Sequence, residues 1–136
     1  MGLFRNITPS ELRKNNQKYD WIIQSENFVD APLITVCVST FNHRNFIGQA
    51  LDSILQQEIS EPYEVLVADD HSTDGTTEII IEYQNLNPEK IKVFGARQNL
   101  KTLGGNNEIR LFDSARGKYI ALIEGDDYWT DPRKLQ

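Results

Sequence analysis

The run from Leu33 to Thr40 is the sequence feature that most constrains the fold, because it is β-branched and apolar along nearly all of its length. It lacks the alternation of polar and apolar side chains that marks a half-exposed strand, so both of its faces are expected to be buried in a parallel sheet. Further along the chain, similar runs alternate with segments whose apolar residues recur every three or four positions. This alternation predicts an α/β fold in which helices cover both faces of a mostly parallel, Rossmann-like sheet.

The pattern predicts four strands and three helices between them. The predicted strands cover residues 33–40, 63–68, 91–94 and 118–124, and the predicted helices lie near residues 46–55, 74–86 and 109–115. The expected strand order is 3-2-1-4, which places the first strand at the centre. Residues 32–136 therefore form the main domain, and residues 1–31 form an N-terminal extension that is expected to be one helix with an aromatic end at Tyr19–Ile23.

The last residues predict the start of another helix. Thr130 or Asp131 would cap it and Pro132 would occupy its first turn, but the sequence stops at Gln136. A single turn is too short to be stable alone. We therefore expect the domain to be truncated, with a longer parent protein continuing past Gln136.

Composition and charge exclude several classes of function. The formal net charge of −6 argues against a nucleic-acid-binding protein and against a module attracted to anionic lipids. No apolar stretch approaches the ~20 residues that a membrane span needs, and no secretory signal is present, so a cytoplasmic location is expected. The single cysteine, Cys37, lies in an apolar run and is expected to be an inert core thiol.

Polar residues follow three of the predicted strands at the points where the strands end. They are Ser39 to His43 after the first strand, Asp69 to Asp74 after the second, and Gly125 to Trp129 after the fourth. If the first strand lies between the other two, these groups meet at one edge of the sheet, where ligands of such folds bind. Clustered carboxylates favour Mg²⁺ or Mn²⁺, and such an ion would also let an acidic protein bind an anionic diphosphate.

Three motifs in this order and spacing resemble family 2 glycosyltransferases. Ile34–Asn42 resembles the opening strand of that family, and Asp69–Thr76 resembles its Asp-Asp-x-Ser-x-Asp-x-Thr segment. Ala115–Ile120, followed by Glu124–Asp127, resembles the approach to its Asp-x-Asp-type metal motif. The resemblance covers Leu33 to Gln136 and implies the A-type glycosyltransferase fold, a nucleotide-sugar donor and a part in polysaccharide biosynthesis, with a UDP-sugar as the expected donor.

The resemblance also implies roles for individual residues. The implied nucleotide-binding residues are Ser39, Phe41, Asn42, Asp69, Asp70 and Asp126. In that family pattern Ser39 and Phe41 lie against the nucleobase, and Asp70 hydrogen-bonds it with support from Asp69.

The resemblance implies metal-binding residues within this chain and a catalytic base outside it. Asp127 is implied as the principal ligand of Mn²⁺ or Mg²⁺, and Asp126 approaches both the ribose and the metal. The family generally inverts configuration at the transferred sugar carbon, with a carboxylate base that deprotonates the acceptor hydroxyl. That base is expected beyond Gln136, so no catalytic residue is assigned within the chain.

One segment departs from the family pattern. Many relatives carry Ala-Arg-Asn before the third helix, where this chain has Gly104-Gly105-Asn106-Asn107. Backbone N–H groups of this glycine-containing loop would then replace the contacts of the missing arginine.

Two other classes of function are compatible with parts of the pattern. A phosphoryl-transfer domain also places aspartates at strand ends, but its key aspartates follow the first strand, where this chain has Ser39–Asn42. A non-catalytic module could keep the fold for binding or assembly, since half a sheet exposes an edge through which a homo-oligomer would form. A dinucleotide-dependent dehydrogenase is disfavoured because no Gly-x-Gly-x-x-Gly follows the first strand.

Overall fold

The computed structural model describes residues 8–103 and 105–136, so residues 1–7 of the extension and Gly104 of the departing loop lie outside the described residues. The helices are α1 (Pro9–Tyr19), α2 (Ile47–Leu55), α3 (Thr76–Leu86) and α4 (Asn107–Ser114), with a 3₁₀ turn at Lys101–Leu103. The strands are β1 (Asp20–Ile23), β2 (Ile34–Thr40), β3 (Tyr63–Asp69), β4 (Ile91–Ala96) and β5 (Tyr119–Glu124).

The strands form one five-stranded sheet in the order β1-β4-β3-β2-β5. The four strands predicted from the sequence are β2 to β5, and they are parallel and lie in the predicted relative order with β2 between β3 and β5. The sheet differs from the prediction in detail because β1 adds a fifth strand, antiparallel to β4, at one edge. The α/β class and the mostly parallel sheet predicted from the sequence are confirmed.

Helices cover the two faces of the sheet, as the apolar pattern predicts. One face packs Val36 and Val38 of β2 against Leu51 of α2 and Ile80 of α3. The other face packs side chains of β2, β3 and β4 against Leu111 of α4. Successive residues of a strand point to opposite faces, which explains why all seven residues of β3 are buried.

Two predicted elements are wrong. Tyr19–Ile23 does not end the first helix with a packed aromatic turn, because α1 stops at Tyr19 and Asp20–Ile23 pairs with β4. The pairing is specific, since a Cβ on Gly95 would lie 1.9 Å from the ring of Trp21, the residue opposite it. The expected terminal helix is absent from the described part of the chain, where Pro132–Leu135 form a turn.

A buried carboxylate in β3 ties the sheet to the segment before β5. Glu64 is fully buried and accepts hydrogen bonds from Thr35 Oγ1 at 2.7 Å and from the Arg116 backbone N–H at 2.9 Å. The Arg116 guanidinium also donates to Glu64 Oε2 through Nε (3.0 Å) and an Nη2 atom (2.8 Å). These bonds satisfy the carboxylate and tie the segment before β5 to β2 and β3, so that β5 starts beside β2.

Cys37 lies in the core beneath α4 and is 1% exposed. Burial, together with the nearby Glu64 charge, raises the pKa of its thiol to about 12, so the thiol stays protonated and unreactive near neutral pH. Among the described residues, no helix has both the length and the apolar character needed to cross a membrane.

Candidate functional site

The polar residues that follow β2, β3 and β5 meet at one edge of the sheet, because these three strands are adjacent and parallel. Backbone hydrogen bonds continue past the ends of the strands and hold the loops together. The Asp70 N–H donates to the Thr40 carbonyl at 3.1 Å, and the Gly125 N–H donates to the Ser39 carbonyl at 2.9 Å. The groups that were predicted to converge therefore lie side by side, at the place where folds of this kind bind ligands.

A cleft of about 760 Å³ opens at this edge, within the size range of small-molecule sites. Three of the predicted nucleotide-binding residues, Ser39, Phe41 and Asp70, lie in its wall. Phe41 is 42% exposed, so part of this aromatic residue is open to a ligand in the cleft. The remaining wall consists of Thr40, His43, Asn99, Lys101, Thr102, Gly105, Asn106, Asn107, Glu108 and Glu124.

Asp70 connects the β3 loop to the loop after β4. Its carboxylate accepts hydrogen bonds from the backbone N–H groups of Leu100 and, at 3.3 Å, of Lys101. Its backbone carbonyl accepts a further bond from the Asn99 side chain at 3.2 Å. Each carboxylate oxygen has two lone pairs, so Asp70 keeps capacity to accept a bond from a ligand in the cleft.

Asp69 is directed away from the cleft and into its own turn. Its carboxylate accepts hydrogen bonds from the backbone and hydroxyl of Ser72, at 3.2 and 2.5 Å, and from the Thr77 hydroxyl. The residue is 1% exposed, and burial raises the pKa of this carboxyl above its ordinary value even though these bonds favour the ionised form. Asp69 thus shapes the turn that carries Asp70.

Asn42 joins the loops after β2 and β3. It has a left-handed backbone with φ of 53°, a conformation that asparagine tolerates better than most residues. Its N–H donates to Ser72 Oγ at 2.9 Å, and its side-chain oxygen accepts from the Thr73 N–H at 2.8 Å. Asn42 therefore fixes the loop that presents Phe41 to the cleft.

Three carboxylates form a candidate cation site directly after β5. One carboxylate oxygen each from Glu124, Asp126 and Asp127 lies within 4.8 Å of the others, and all three residues are exposed. An octahedral ion with bonds of about 2.1 Å separates its ligands by at most about 4.2 Å, so small side-chain rotations bring the three oxygens into range. An all-oxygen donor set with room for further ligands fits Mg²⁺ or Mn²⁺.

His43 lies beside this carboxylate cluster. Its Nε2 atom is 3.8 Å from Asp126 Oδ2, and its Nδ1 atom is 2.9 Å from Thr40 Oγ1. Gly125 packs closely here, since a Cβ at this position would lie 2.4 Å from Thr40 Oγ1. The residue between Glu124 and Asp126 must therefore be small for the cluster to sit against β2.

A second cleft of about 370 Å³ continues from the first between α4 and β5. The two clefts share Ser39, Glu108 and Glu124, and the second also contains Asp127. Its remaining wall is largely apolar, with Leu111, Phe112 and Leu122 among its members. A ligand can thus extend from Asp70 past Ser39 to the carboxylate cluster.

The sequence reasoning missed two members of this site. Glu124 was correctly placed at the end of a strand and within the Glu124–Asp127 motif, but it was not assigned as a ligand, although its two-residue spacing from Asp126 is that of an Asp-x-Asp-type pair. Asn107 was noted only within the departing loop, yet it is buried and its side-chain N–H₂ group donates to the Ala68 carbonyl at 3.0 Å. Only the folded chain brings Asn107 to the ends of β2 and β3.

Comparison with known proteins gives one consistent result. The family model described as Glycosyl transferase family 2 matches residues 35–136. The putative teichuronic acid biosynthesis glycosyltransferase TuaG of Bacillus subtilis is 33% identical over 99 residues, which are 72% of this chain and 37% of that protein.

Two solved structures are similar in fold and sequence. S. aureus TarS 1-349 in complex with UDP-GlcNAc is 28% identical with a TM-score of 0.55, over 70% of this chain and 27% of that chain. The mannosyltransferase PcManGT from Pyrobaculum calidifontis, in complex with GDP-Man and Mn²⁺, is 25% identical with a TM-score of 0.58, over 76% of this chain and 30% of that chain. The chain spans between 27% and 37% of the length of the curated relatives it matches.

Proposed function

The chain belongs to glycosyl transferase family 2, and from this premise we propose that it forms the donor-binding part of an enzyme that transfers a sugar from a nucleotide-diphosphate sugar to a hydroxyl acceptor. The observation that carries the proposal is the meeting of the cleft at Ser39, Phe41 and Asp70 with the carboxylate cluster at Glu124 to Asp127. A nucleotide-diphosphate sugar needs both features, because its base lies at one end of an extended ligand and its anionic diphosphate lies further along, between the ribose and the sugar.

The cleft around Asp70 suits the nucleoside. Phe41 offers a partly exposed ring on which a base can stack, and Asp70 offers a hydrogen-bond acceptor next to it. Ser39, in the same wall as Phe41, would also lie against the base, and Asp126 would approach the ribose and the metal. The solved relatives bind UDP-GlcNAc in one case and GDP-Man in the other, and we propose a UDP-sugar for this chain.

Asp127 and Asp126, together with Glu124, are the residues that would hold Mn²⁺ or Mg²⁺. Bound there, the ion would neutralise the diphosphate and stabilise the negative charge on the departing nucleotide. The requirement follows from electrostatics, because a chain with a net charge of −6 offers a carboxylate cluster where the anionic diphosphate must lie. The mannosyltransferase relative was solved with Mn²⁺, which supports this choice.

The reaction also needs an acceptor site and a catalytic base. The matched residues make up only 30–37% of these relatives, and we propose that the base and the acceptor-binding residues lie in the part of such a protein outside the matched region. Attack by the deprotonated acceptor hydroxyl on the face opposite the nucleotide would invert the sugar carbon. The name of the TuaG relative supports an acceptor on a growing polysaccharide.

The proposal is tested by measuring thermal unfolding with UDP, with Mn²⁺, and with both together. At about a hundred times its dissociation constant a ligand adds roughly 2.7 kcal/mol to the free energy of unfolding, which raises Tm by about 10 °C in a chain of this size. We expect this shift only when UDP and Mn²⁺ are both present. Chelation of the metal with EDTA should abolish it.

The variant Asp127→Asn keeps the shape of the side chain and removes one charged ligand, so the joint shift should disappear. Asp131→Asn is the matched control, because Asp131 is also an exposed aspartate but is not part of the carboxylate cluster. A nucleotide shift that is the same with and without metal would contradict the metal part of the proposal. No shift with UDP, GDP or TDP would contradict the donor site itself.

A further inference from the structure

The segment that precedes the family domain packs directly behind the donor cleft. The family match begins at residue 35, whereas α1 (Pro9–Tyr19) and β1 (Asp20–Ile23) lie before it. Helix α1 packs on α4, and β1 pairs with β4. The two elements therefore contact the parts of the chain from which the loop walls of the cleft arise.

Asn16 makes the most direct of these contacts. It is 3% exposed, and its side-chain oxygen accepts a hydrogen bond from the Asn106 N–H at 2.8 Å. Its N–H₂ group donates to the carbonyl of the same residue at 3.1 Å. One side chain thus satisfies both backbone groups of Asn106, whose own side chain caps α4 by accepting from the Ile109 N–H at 2.9 Å.

The contacts of Asn16 extend, through two further residues, to Asp70, the residue proposed to bind the nucleobase. A Cβ on Gly105 would lie 2.7 Å from the Asn16 side-chain oxygen and 2.8 Å from Leu100 Cβ, so these residues are in close contact. The Gly105 N–H donates to the Leu100 carbonyl at 2.7 Å, and the Leu100 N–H donates to the Asp70 carboxylate. Asn16 is therefore connected to Asp70 through Gly105 and Leu100.

Asp20 of β1 makes a second connection, through a buried guanidinium. Arg110 is 4% exposed and donates to Asp20 Oδ1 at 2.8 Å and to the Gly95 carbonyl at 2.6 Å. Its other terminal nitrogen donates to the Asp69 carbonyl at 3.2 Å and to the side chain of Asn107. The extension thus supplies the carboxylate that pairs with the cation lying behind Asp69 and Asn107.

We infer that residues 9–23 are a built-in support of the donor cleft, in which Asn16 and Asp20 are positioning residues that set its affinity for the nucleotide. Neither side chain lies in the wall of the cleft, so both act through Asn106, Asn107 and Asp70. The inference rests on the proposed function, because it assigns the cleft to a nucleotide. It gives a role in donor binding to a segment outside the family domain.

The test compares Asn16→Ala with the wild-type chain in two measurements on folded protein, well below its melting temperature. The first is amide hydrogen exchange at Leu100 and Lys101. The N–H groups of these two residues donate to the Asp70 carboxylate and not to Asn16. The second is the Kd for UDP in Mn²⁺ by calorimetry. We expect faster exchange at both amides and binding weaker by about tenfold, the effect of losing roughly one buried hydrogen bond.

Arg13→Ala is the matched control. It breaks the ion pair between Arg13 and Asp113, which joins the same two helices at 2.7 Å but is half-exposed and lies at the opposite end of α4 from Asn106. This variant should keep both the exchange rates and the Kd within about twofold of wild type, as expected for a surface ion pair. An equal loss of UDP affinity in Arg13→Ala would show that any weakening of the α1–α4 contact suffices, and it would overturn the role of Asn16.

Asn16→Asp covers the case in which the alanine variant fails to fold. It keeps an acceptor for the Asn106 N–H and loses the donor to its carbonyl, and we expect the same two changes. If an Asn16 variant shows unchanged exchange at Leu100 and Lys101, or an unchanged Kd for UDP, the inference is overturned. The proposed function still stands in that case, provided that the wild-type chain binds UDP. If the wild-type chain binds neither UDP nor GDP, the proposed function fails, and the part of the inference that concerns nucleotide affinity fails with it. The exchange rates at Leu100 and Lys101 then decide whether Asn16 positions the loop that binds Asp70.

Discussion

Asp69 shows how a residue can shape a cleft without lining it. The carboxyl is held by the Ser72 and Thr77 hydroxyls inside the turn, and burial raises its pKa. Its neighbour Asp70 is presented to the cleft, because consecutive residues of an extended chain point to opposite sides. The Asp69-Asp70 pair thus divides into one residue that forms the turn and one that faces the cleft.

The raised pKa of Asp69 predicts how the stability of the chain depends on pH. Below the unfolded-state pKa of about 3.9 the carboxyl is protonated in both states, and its contribution to stability is fully present. That contribution is lost as the pH rises through the higher folded-state pKa, because the unfolded chain then releases the proton more readily. We therefore expect the free energy of unfolding of wild type, minus that of Asp69→Asn, to decrease from pH 3.5 toward neutrality in urea titrations.

Thr77→Val is a second variant for the same titration, which keeps the Asp69 carboxyl and changes its folded-state pKa. It removes a hydroxyl that donates to the ionised carboxylate, so the folded-state pKa of Asp69 should rise further. The decrease in stability should then extend to higher pH than in wild type. If the free energy of unfolding of wild type, minus that of Asp69→Asn, rises with pH or stays constant, the raised pKa of Asp69 is contradicted.

The pair formed by Glu64 and Arg116 gives a second prediction for single residues. Arg116→Ala leaves the fully buried Glu64 carboxylate without its cation, and we expect a loss of about 3 kcal/mol in the free energy of unfolding. Arg133→Ala is the control, because its partner Asp131 lies 3.8 Å away and both side chains are mostly exposed, so the loss should be below about 0.5 kcal/mol. Urea unfolding measures both, and similar losses in the two variants would contradict the prediction.

At the scale of elements, the pairing of β1 with β4 includes one close aromatic contact. Trp21 lies over Gly95, where an added Cβ would overlap its ring at 1.9 Å. Gly95→Ala should therefore displace β1 and lower the free energy of unfolding by about 2 kcal/mol, the usual effect of overpacking. In a Trp21→Ala background the same substitution should cost much less, which a double-mutant cycle in urea will measure. Equal costs in both backgrounds would show that β1 does not pack as described.

The long elements were predictable from the sequence and β1 was not, for a physical reason. The strand β2 is apolar on both faces, and α2 has apolar residues at helical spacing, so each pattern indicates one structure. Asp20–Ile23 is a strand of four residues whose conformation comes from pairing with β4, about seventy positions away. No local pattern distinguishes it from the end of α1.

The same contrast divides the residues of the site. Ser39, Phe41 and Asp70 were predictable because the ends of adjacent parallel strands must meet. Asn16 and Arg110 were not, since their partners lie 90 positions away and nothing near them in the sequence indicates a role. Chemistry at strand ends follows from topology, whereas support behind a cleft is visible only in the folded chain.

At the scale of the whole molecule, the two edges of the sheet are unequal. One edge is formed by the short antiparallel strand β1, and the other by β5, whose Tyr119, Ile120 and Leu122 are 55%, 47% and 61% exposed. Helix α4 packs on β2 and β3 and leaves the adjacent face of β5 uncovered. An edge with unpaired backbone groups and apolar side chains favours pairing with another chain.

We therefore expect this chain to self-associate through β5 as its concentration rises, since two copies of one edge can pair around a two-fold axis. Leu122→Lys places a charge on this strand, as natural edge strands do, and should abolish the concentration dependence of the sedimentation coefficient. Leu86→Lys is the matched control, because Leu86 is 74% exposed at the end of α3, away from β5. Association that survives Leu122→Lys would place the contact elsewhere, and a wild-type chain that is monomeric at every concentration would show that the exposed side chains of β5 are insufficient to drive pairing.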